Sequence, residues 1–149
     1  MIVQIRDPGL FTFELNAQPE AEKCLIPKLT LQPIVENSIL HGFKEKMSRR
    51  RLTVNAAVEH GRLVITVEDD GKGMTGEKLE YVRQSLELEE SLGRSASIGL
   101  NNVSERCQLY FGESFSMEIH SRRGTGTRVT LNATAIYGEG EEHDTSGHY

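Results

Sequence analysis

Apolar and polar residues alternate along five segments of the chain, and this period of two is typical of strands with one buried face. The residues between the second and third segments, 59–62, form a predicted tight turn, so these two segments are expected to pair as an antiparallel hairpin. A second turn at 122–124 joins the last two segments. The five predicted strands lie in the segments Leu10–Leu15, Leu52–Val58, Leu63–Val67, Phe115–Ile119 and Val129–Ala133.

Three other segments have the spacing of helices with one apolar face. Pro33 in the first of them is predicted to lie in the first turn or to kink the helix. The predicted helices are 29–43, 77–88 and about 100–111, and the stretches predicted to be irregular are 16–28, 89–97 and 138–149. The order strand, helix, hairpin, helix, helix, hairpin predicts an α+β fold, with helices packed on one face of a mostly antiparallel sheet.

The composition restricts the class of protein without naming one. The chain has 149 residues, which suits one domain, predicted at 1–137, followed by a flexible acidic tail at 138–149. The net charge of −5 gives no reason to expect a nucleic acid partner. Cys24 and Cys107 are too far apart for a C-x-x-C pair, so neither zinc nor a disulfide framework is expected. No apolar run reaches the length of a membrane span.

The segment D-D-G-K-G-M at 69–74 follows a predicted strand and is the most informative motif. Its glycines match the dinucleotide fingerprint, but two carboxylates would repel a pyrophosphate, and a hairpin strand does not suit a Rossmann unit. A carboxylate is an acceptor that suits the exocyclic amine of adenine, and glycines allow close approach to a flat base. The alternative is a turn that only ends the strand.

Three further segments carry candidate ligand groups. On the first predicted helix, Asn37, His41 and Lys44 share a stripe, and an amide oxygen suits one position on magnesium. Taken alone, Asn37 is better interpreted as a buried, satisfied amide, and His41 as a residue that closes the helix. S-I-G-L-N-N at 97–102 enters a helix, where free amides favour phosphates. G-T-G-T at 124–127 is, taken alone, best interpreted as a hairpin turn.

Together and in this order, the four segments resemble the ATP-binding domain of the GHKL superfamily of gyrases, heat-shock chaperones, histidine kinases and mismatch-repair ATPases. L-Q-P-I-V-E-N at 31–37 resembles the N box of one subgroup of bacterial sensor kinases. The resemblance covers about residues 10–135. It implies a Bergerat-type two-layer α/β sandwich, with helices on one face of a mixed, mostly antiparallel sheet.

The resemblance also implies ATP and Mg²⁺ as ligands. Asn37 would hold magnesium and Asp69 would accept the adenine amine, while residues between Met74 and Gly99 would form a mobile lid over the nucleotide. The remaining implied ligand-binding residues are His41, Gly71, Gly73, Met74, Ser97, Gly99, Leu100 and Thr127.

Three positions depart from the family pattern. Pro33 stands where gyrase-type ATPases carry a water-activating glutamate, which favours a kinase over an ATPase and leaves Glu36 as the possible catalytic carboxylate. Leu40 replaces a phosphate-binding lysine, for which Lys44 or Arg94 could substitute. Ser97 replaces the first glycine of the second glycine box.

The implied function is transfer of the ATP γ-phosphoryl group to a histidine on a dimerisation domain that this chain lacks, upstream of a response regulator. The isolated domain is expected to be monomeric, not competent for autophosphorylation, and the cytoplasmic part of a membrane-anchored sensor kinase. The alternatives are a degenerate nucleotide-sensing module and a serine kinase relative acting on an anti-anti-sigma partner.

Overall fold

The computed structural model describes residues 2–6, 11–39, 50–87 and 98–138. The strands within these ranges are β1 (Ile2–Arg6), β2 (Phe11–Ala17), β3 (Arg50–Glu59), β4 (Arg62–Asp69), β5 (Ser116–Arg122) and β6 (Gly126–Thr134). The helices within them are α1 (Pro19–Glu22), α2 (Leu31–Asn37), α3 (Gly76–Glu87) and α4 (Ile98–Phe111), and a 3₁₀ turn at Gly112–Ser114 follows α4.

The strands of the described part form one sheet in the order β1-β2-β3-β4-β6-β5. β2 and β3 are parallel, and every other neighbouring pair is antiparallel. The predicted α+β fold with a mixed, mostly antiparallel sheet is therefore confirmed. None of the helices in these ranges is long and apolar enough to span a membrane.

The β3–β4 hairpin sets the register of the central strands. Its two turn residues, His60 and Gly61, have φ values of 52° and 75°. Two successive positive φ angles are the backbone conformation of a type I′ turn, whose twist matches that of the strands that it joins. The resulting register pairs Val54 with Val67 and Val58 with Leu63, so the apolar residues of both strands share one face.

Three successive rows of apolar side chains lie on that face, of which two cross β3, β4, β6 and β5 and the third crosses β3, β4 and β6. The rows are Val54, Val67, Val129 and Ile119; Ala56, Ile65, Leu131 and Met117; and Val58, Leu63 and Ala133. The helices complete the core with side chains spaced three or four residues apart, which places them on one helix face. The buried helix residues in this core are Ala21 of α1, Ile34 of α2, Leu79 and Val82 of α3, and Leu100, Val103 and Cys107 of α4.

Helix α3 lies in the stretch that the resemblance assigned to the mobile lid, and here the prediction was too broad. Leu79 and Val82 are buried in the core. The Arg83 guanidinium donates two hydrogen bonds to the carbonyl oxygen of Ile119 on β5, at 2.6 and 3.2 Å. Residues 76–87 are thus a packed helix, and the rest of the predicted lid, 88–97, lies outside the described residues.

The N-terminal third differs most from the sequence-based expectation. β1 was not predicted, because its five residues IVQIR do not alternate and it pairs only with β2. The predicted loop at 16–28 contains the end of β2 and the short helix α1. Helix α2 begins at Leu31 with Pro33 in its first turn, where a missing amide hydrogen leaves no intrahelical bond unmade.

The α-helical part of α2 ends at Asn37, and a π-type turn follows at 38–39. The remainder of the predicted helix, 40–43, lies outside the described residues, as does the predicted tail from residue 139.

Candidate functional site

In the row that follows the three apolar rows, β3 contributes the fully buried Leu52, whereas β4, β6 and β5 contribute polar residues. The register pairs Asp69 of β4 with Thr127 of β6, and Thr127 in turn with Ser121 of β5. These three residues lie at one end of the helix-covered face, beyond Val67, Val129 and Ile119. A sheet face that is apolar along its length and carries three neighbouring polar residues beside Leu52 at its end suits a ligand that is partly apolar and partly hydrogen-bonding.

The Asp69 carboxylate is the central polar group of this end. Its residue is 5% exposed, and one of its oxygens, Oδ1, accepts a hydrogen bond from the amide of Gly71 at 2.9 Å. Burial raises the pKa of Asp69, and hydrogen bonds from Gly71, the Ser38 hydroxyl and the Thr127 amide partly offset that rise. An ionised carboxylate has about four acceptor positions, so it can still bind a ligand that donates hydrogen bonds.

The glycines around Asp69 are required by close backbone approaches. Gly73 has a φ of 67°, and a Cβ atom there would overlap the carbonyl oxygen of Arg122. Gly126 has a φ of 128°, and a Cβ atom there would overlap the carbonyl oxygen of Asp69. The amide of Gly124 donates to the carbonyl oxygen of Lys72 at 2.7 Å. The glycine segment 71–73 therefore packs directly against the β5–β6 turn.

The second carboxylate of the D-D-G motif has a different task. The Asp70 Oδ1 atom accepts from the amide of Arg51 at 2.7 Å, and the Asp70 amide donates to the Arg51 carbonyl oxygen at 3.2 Å. The Arg50 guanidinium donates to the Asp70 carbonyl oxygen at 2.9 Å. Asp70 thus attaches the end of β4 to the start of β3, and it is Asp69 that lies in the polar row.

Ser121 belongs to this polar row but was not predicted from the sequence. Its hydroxyl accepts from the amide of Met74 at 2.8 Å and lies 2.8 Å from the Thr127 hydroxyl. Its position in the alternation after Met117 and Ile119 could have indicated a residue on the inner face. A serine there carries no motif, so only the cross-strand register reveals its neighbours.

Helices α2 and α4 bring Asn37 to the start of α4. A Cβ atom on Gly99 would lie 3.3 Å from the Cβ of Pro33 and 3.5 Å from Nδ2 of Asn37. The absence of a side chain at Gly99 therefore lets the first turn of α4 approach the Asn37 amide. The Leu100 side chain is buried in the core, so only its backbone can serve a ligand.

The other predicted residues of this region are placed as follows. Glu36 is exposed, and its carboxylate accepts from the Gln32 side chain at 2.9 Å. Met74 is half-buried and packs against the core. His41 and Ser97, as well as Leu40, Lys44 and Arg94, lie outside the described residues. In the described ranges no group of three His, Cys, Asp or Glu side chains could hold a metal ion.

Residues 27–135 match the model of one protein family, HATPase_c, described as histidine kinase-, DNA gyrase B- and HSP90-like ATPase. The chain belongs to this family. Its ATP-binding character follows from the family, and the matched range contains Asp69, both glycine segments and Asn37.

Curated relatives of the chain are sensor kinases. It is 40% identical over 119 residues to the sensor histidine kinase YesM of Bacillus subtilis, covering 80% of this chain and 19% of that protein. It is 30% identical over 128 residues to the sensor protein kinase HptS of Staphylococcus aureus, covering 86% of this chain and 24% of that protein. The chain thus spans about a fifth to a quarter of the length of these relatives.

Solved structures of low sequence identity have the same fold. The blue-light activated histidine kinase EL346 of Erythrobacter litoralis superposes with a TM-score of 0.59 at 18% identity, over 85% of this chain and 36% of that one. The histidine kinase AdeS of Acinetobacter baumannii superposes with a TM-score of 0.51 at 14% identity, over 84% of this chain and 54% of that one.

Proposed function

We propose that this chain is the ATP-binding catalytic domain of a two-component sensor histidine kinase. The observation that carries the proposal is the buried Asp69 carboxylate. It lies in register with Thr127 and Ser121, next to the two close backbone approaches that require Gly73 and Gly126. The family membership and the sensor kinase relatives support the same function. The histidine that receives the phosphoryl group would lie on a dimerisation domain outside this chain.

Asp69 would accept a hydrogen bond from the exocyclic amine of adenine. Gly71 and Gly73 would shape the base pocket, Gly73 by letting its segment pack against the Arg122 carbonyl oxygen, and Met74 and Thr127 would line the same end of the pocket. The half-buried Met74 side chain offers a polarisable surface, which suits an aromatic ring. The base would therefore bind at this end of the site, and the phosphates would bind near α2 and α4.

The phosphates would bind at the start of α4. The first amides of a helix have no intrahelical acceptor and attract anions, so the backbone of Gly99 and Leu100 would serve the phosphates together with Ser97 and His41. Asn37 would hold Mg²⁺ through its amide oxygen. One neutral oxygen ligand fits this ion, because magnesium usually keeps waters and phosphate oxygens as its other ligands.

The reaction would be phosphoryl transfer. The bond between the γ-phosphorus and the β,γ-bridging oxygen breaks, a bond to an imidazole nitrogen of the acceptor forms, ADP leaves, and the imidazole proton is lost to solvent or to a base on the acceptor domain. Bound Mg²⁺ supplies charge neutralisation along the phosphates. This chain's own residues would hold the base and orient the phosphates.

The region before Asn37 favours a kinase over a hydrolase. Pro33 has no side chain that could activate water. The Glu36 carboxylate is exposed and bonded to Gln32, so we propose no role for it in the chemistry. A domain without a water-activating base would hydrolyse ATP slowly, so the γ-phosphoryl group would remain available for transfer to the protein acceptor.

The proposed partners follow from this reaction. They are the histidine-bearing dimerisation domain of the same full-length protein and, downstream, a response regulator. We further propose that the domain is cytoplasmic in a membrane-anchored kinase, that its residues 1–137 form the catalytic unit, and that it is monomeric when isolated.

Phosphotransfer to a supplied acceptor tests the proposal. The chain is mixed with the histidine-bearing dimerisation domain, Mg²⁺ and γ-labelled ATP, and acid-labile label on the acceptor is measured. We expect label with the unmodified chain and a loss of at least about tenfold with Asn37→Ala, because magnesium loses its protein ligand. Asn55→Ala on the exposed side of β3 is the matched control and should retain transfer.

Two results would overturn the kinase assignment. A folded chain that binds ATP without labelling the acceptor would be a nucleotide-sensing module. Steady release of inorganic phosphate at the same rate with and without the acceptor would show an ATPase.

A further inference from the structure

The Ser121 hydroxyl lies where the glycine segment, the β5–β6 turn and Thr127 meet. It is 2.8 Å from the Met74 amide nitrogen, 3.0 Å from the Gly126 carbonyl oxygen and 2.8 Å from the Thr127 hydroxyl oxygen. Ser121 faces the inner side of β5, in register with Thr127 and one strand farther from Asp69.

The hydrogen-bonding capacity of Ser121 is fully used by these three neighbours. A serine hydroxyl has one hydrogen to donate and two lone pairs that accept. The Met74 amide can only donate, and the Gly126 carbonyl can only accept. All three contacts are hydrogen bonds at the same time only if Ser121 donates to Gly126 and accepts the hydroxyl hydrogen of Thr127, and we assign the hydrogens in this way.

This arrangement determines what Thr127 offers to a ligand. Since its one hydroxyl hydrogen is directed at Ser121, Thr127 presents only lone pairs to the pocket. Its neighbour Asp69 is also an acceptor when ionised. Nearby backbone donors are engaged inside the protein, since the amides of Gly71, Met74 and Gly124 bond to Asp69, Ser121 and Lys72.

We propose that Ser121 is a positioning residue that sets the base selectivity of the site. By holding the Thr127 hydrogen, it keeps this end of the pocket rich in acceptors, which favours a base with an exocyclic amine. A base with a carbonyl oxygen in place of that amine meets acceptors on both protein groups. The inference rests on the proposed function, because it requires the base to bind beside Asp69.

Comparison of the affinities for two nucleotides measures the effect. ITP carries a carbonyl oxygen where ATP carries the amine, and calorimetric titration gives Kd for each with Mg²⁺. In Ser121→Ala the Thr127 hydroxyl loses its acceptor and is free to rotate toward the base. We expect the ratio of Kd for ITP to Kd for ATP to fall by about three- to tenfold, the value of one neutral hydrogen bond.

The ratio of the two Kd values distinguishes a change in base selectivity from a general distortion of the pocket, because a distorted pocket would bind both nucleotides more weakly. Ser121→Thr keeps the hydroxyl and should retain the unmodified ratio. Ser116→Ala lies on the exposed side of the same strand and should do the same.

The failure of this inference and that of the proposed function give different results. If the unmodified chain binds ATP and Ser121→Ala keeps the original ratio, the role of Ser121 is wrong and the nucleotide site stands. If the folded, unmodified chain binds neither nucleotide, the proposed function and this inference both fail.

Discussion

Asp69 occupies surroundings that oppose its own ionisation. The charged form loses hydration on burial, and the hydrogen bonds around it restore only part of that loss. A carboxylate in such surroundings lowers the free energy of unfolding at neutral pH. The cost is consistent with a residue kept for binding, since a ligand amine would supply a missing donor.

The pH dependence of stability gives the first prediction. Because the pKa of Asp69 is raised in the folded chain, its contribution to stability is fully present below the ordinary value of 3.8 and is lost as pH rises through the folded pKa. Asn does not titrate. We therefore expect the free energy of unfolding of Asp69→Asn minus that of the unmodified chain to increase from pH 3.8 towards neutrality.

Urea unfolding at a series of pH values measures both chains. Other titrating groups cancel in the difference. A difference that decreases with rising pH would show that the folded state favours the ionised form, and the proposed electrostatics of the site would be wrong.

The close backbone approach at Gly126 gives the second prediction. Gly124 and Gly126 both have positive φ, but only Gly126 lies where a Cβ atom would overlap the Asp69 backbone. We expect Gly124→Ala to cost about 1 kcal/mol for its backbone conformation. Gly126→Ala should cost about 1–3 kcal/mol more, because the strands must move apart.

Chemical denaturation of the two variants checks this difference. Equal losses of stability would mean that β4 and the start of β6 are not packed as closely as described, and the polar row would lose its geometric basis.

At the scale of elements, each helix contributes a different part of the site. α2 carries Asn37, α4 begins against it at Gly99, and α3 fills the space beside β5. The α2–α4 contact depends on tertiary packing, so neither helix pattern alone predicts it. The alternation of the strands, in contrast, is a local signal, and it located β3, β4, β5 and β6 from the sequence.

The attachment of α3 to the sheet gives the third prediction. Arg83 donates two charge-assisted hydrogen bonds to Ile119, and such bonds contribute about 1.5–3 kcal/mol. Arg83→Ala should lower the free energy of unfolding by an amount in that range. The exposed Gln84→Ala on the same helix should stay within about 0.5 kcal/mol of the unmodified chain. Similar values for the two variants would contradict a helix held on β5 by Arg83.

At the scale of the whole molecule, the site lies at the end of the core. Motifs predicted Asp69, the glycines and Asn37, because each has a local pattern of residue types. Ser121 and the structural task of Asp70 were not predictable in this way, because they follow from the placement of β6 between β4 and β5. That order depends on which strands meet after folding, and no residue pattern along the chain specifies it.

Cys107 offers a measure of the integrity of this core and gives the fourth prediction. Its side chain has no exposed surface, and burial raises the pKa of the thiol. In a Cys24→Ser background, we expect a thiol reagent to label the folded chain on the order of a thousandfold more slowly than the urea-unfolded chain. Labelling of both at the same rate would show that α4 is not packed on the sheet as described.

Calorimetric titration with ATP and Mg²⁺, on the unmodified chain and on Asp69→Asn, tests the central claim most directly. We expect binding to the unmodified chain and an affinity at least about tenfold lower in the variant, because a charged acceptor is lost from the base site. Both proteins should be folded, which the unfolding curves establish on the same samples. Equal affinity in the two chains, or no binding to the folded unmodified chain, would contradict the assignment of this site.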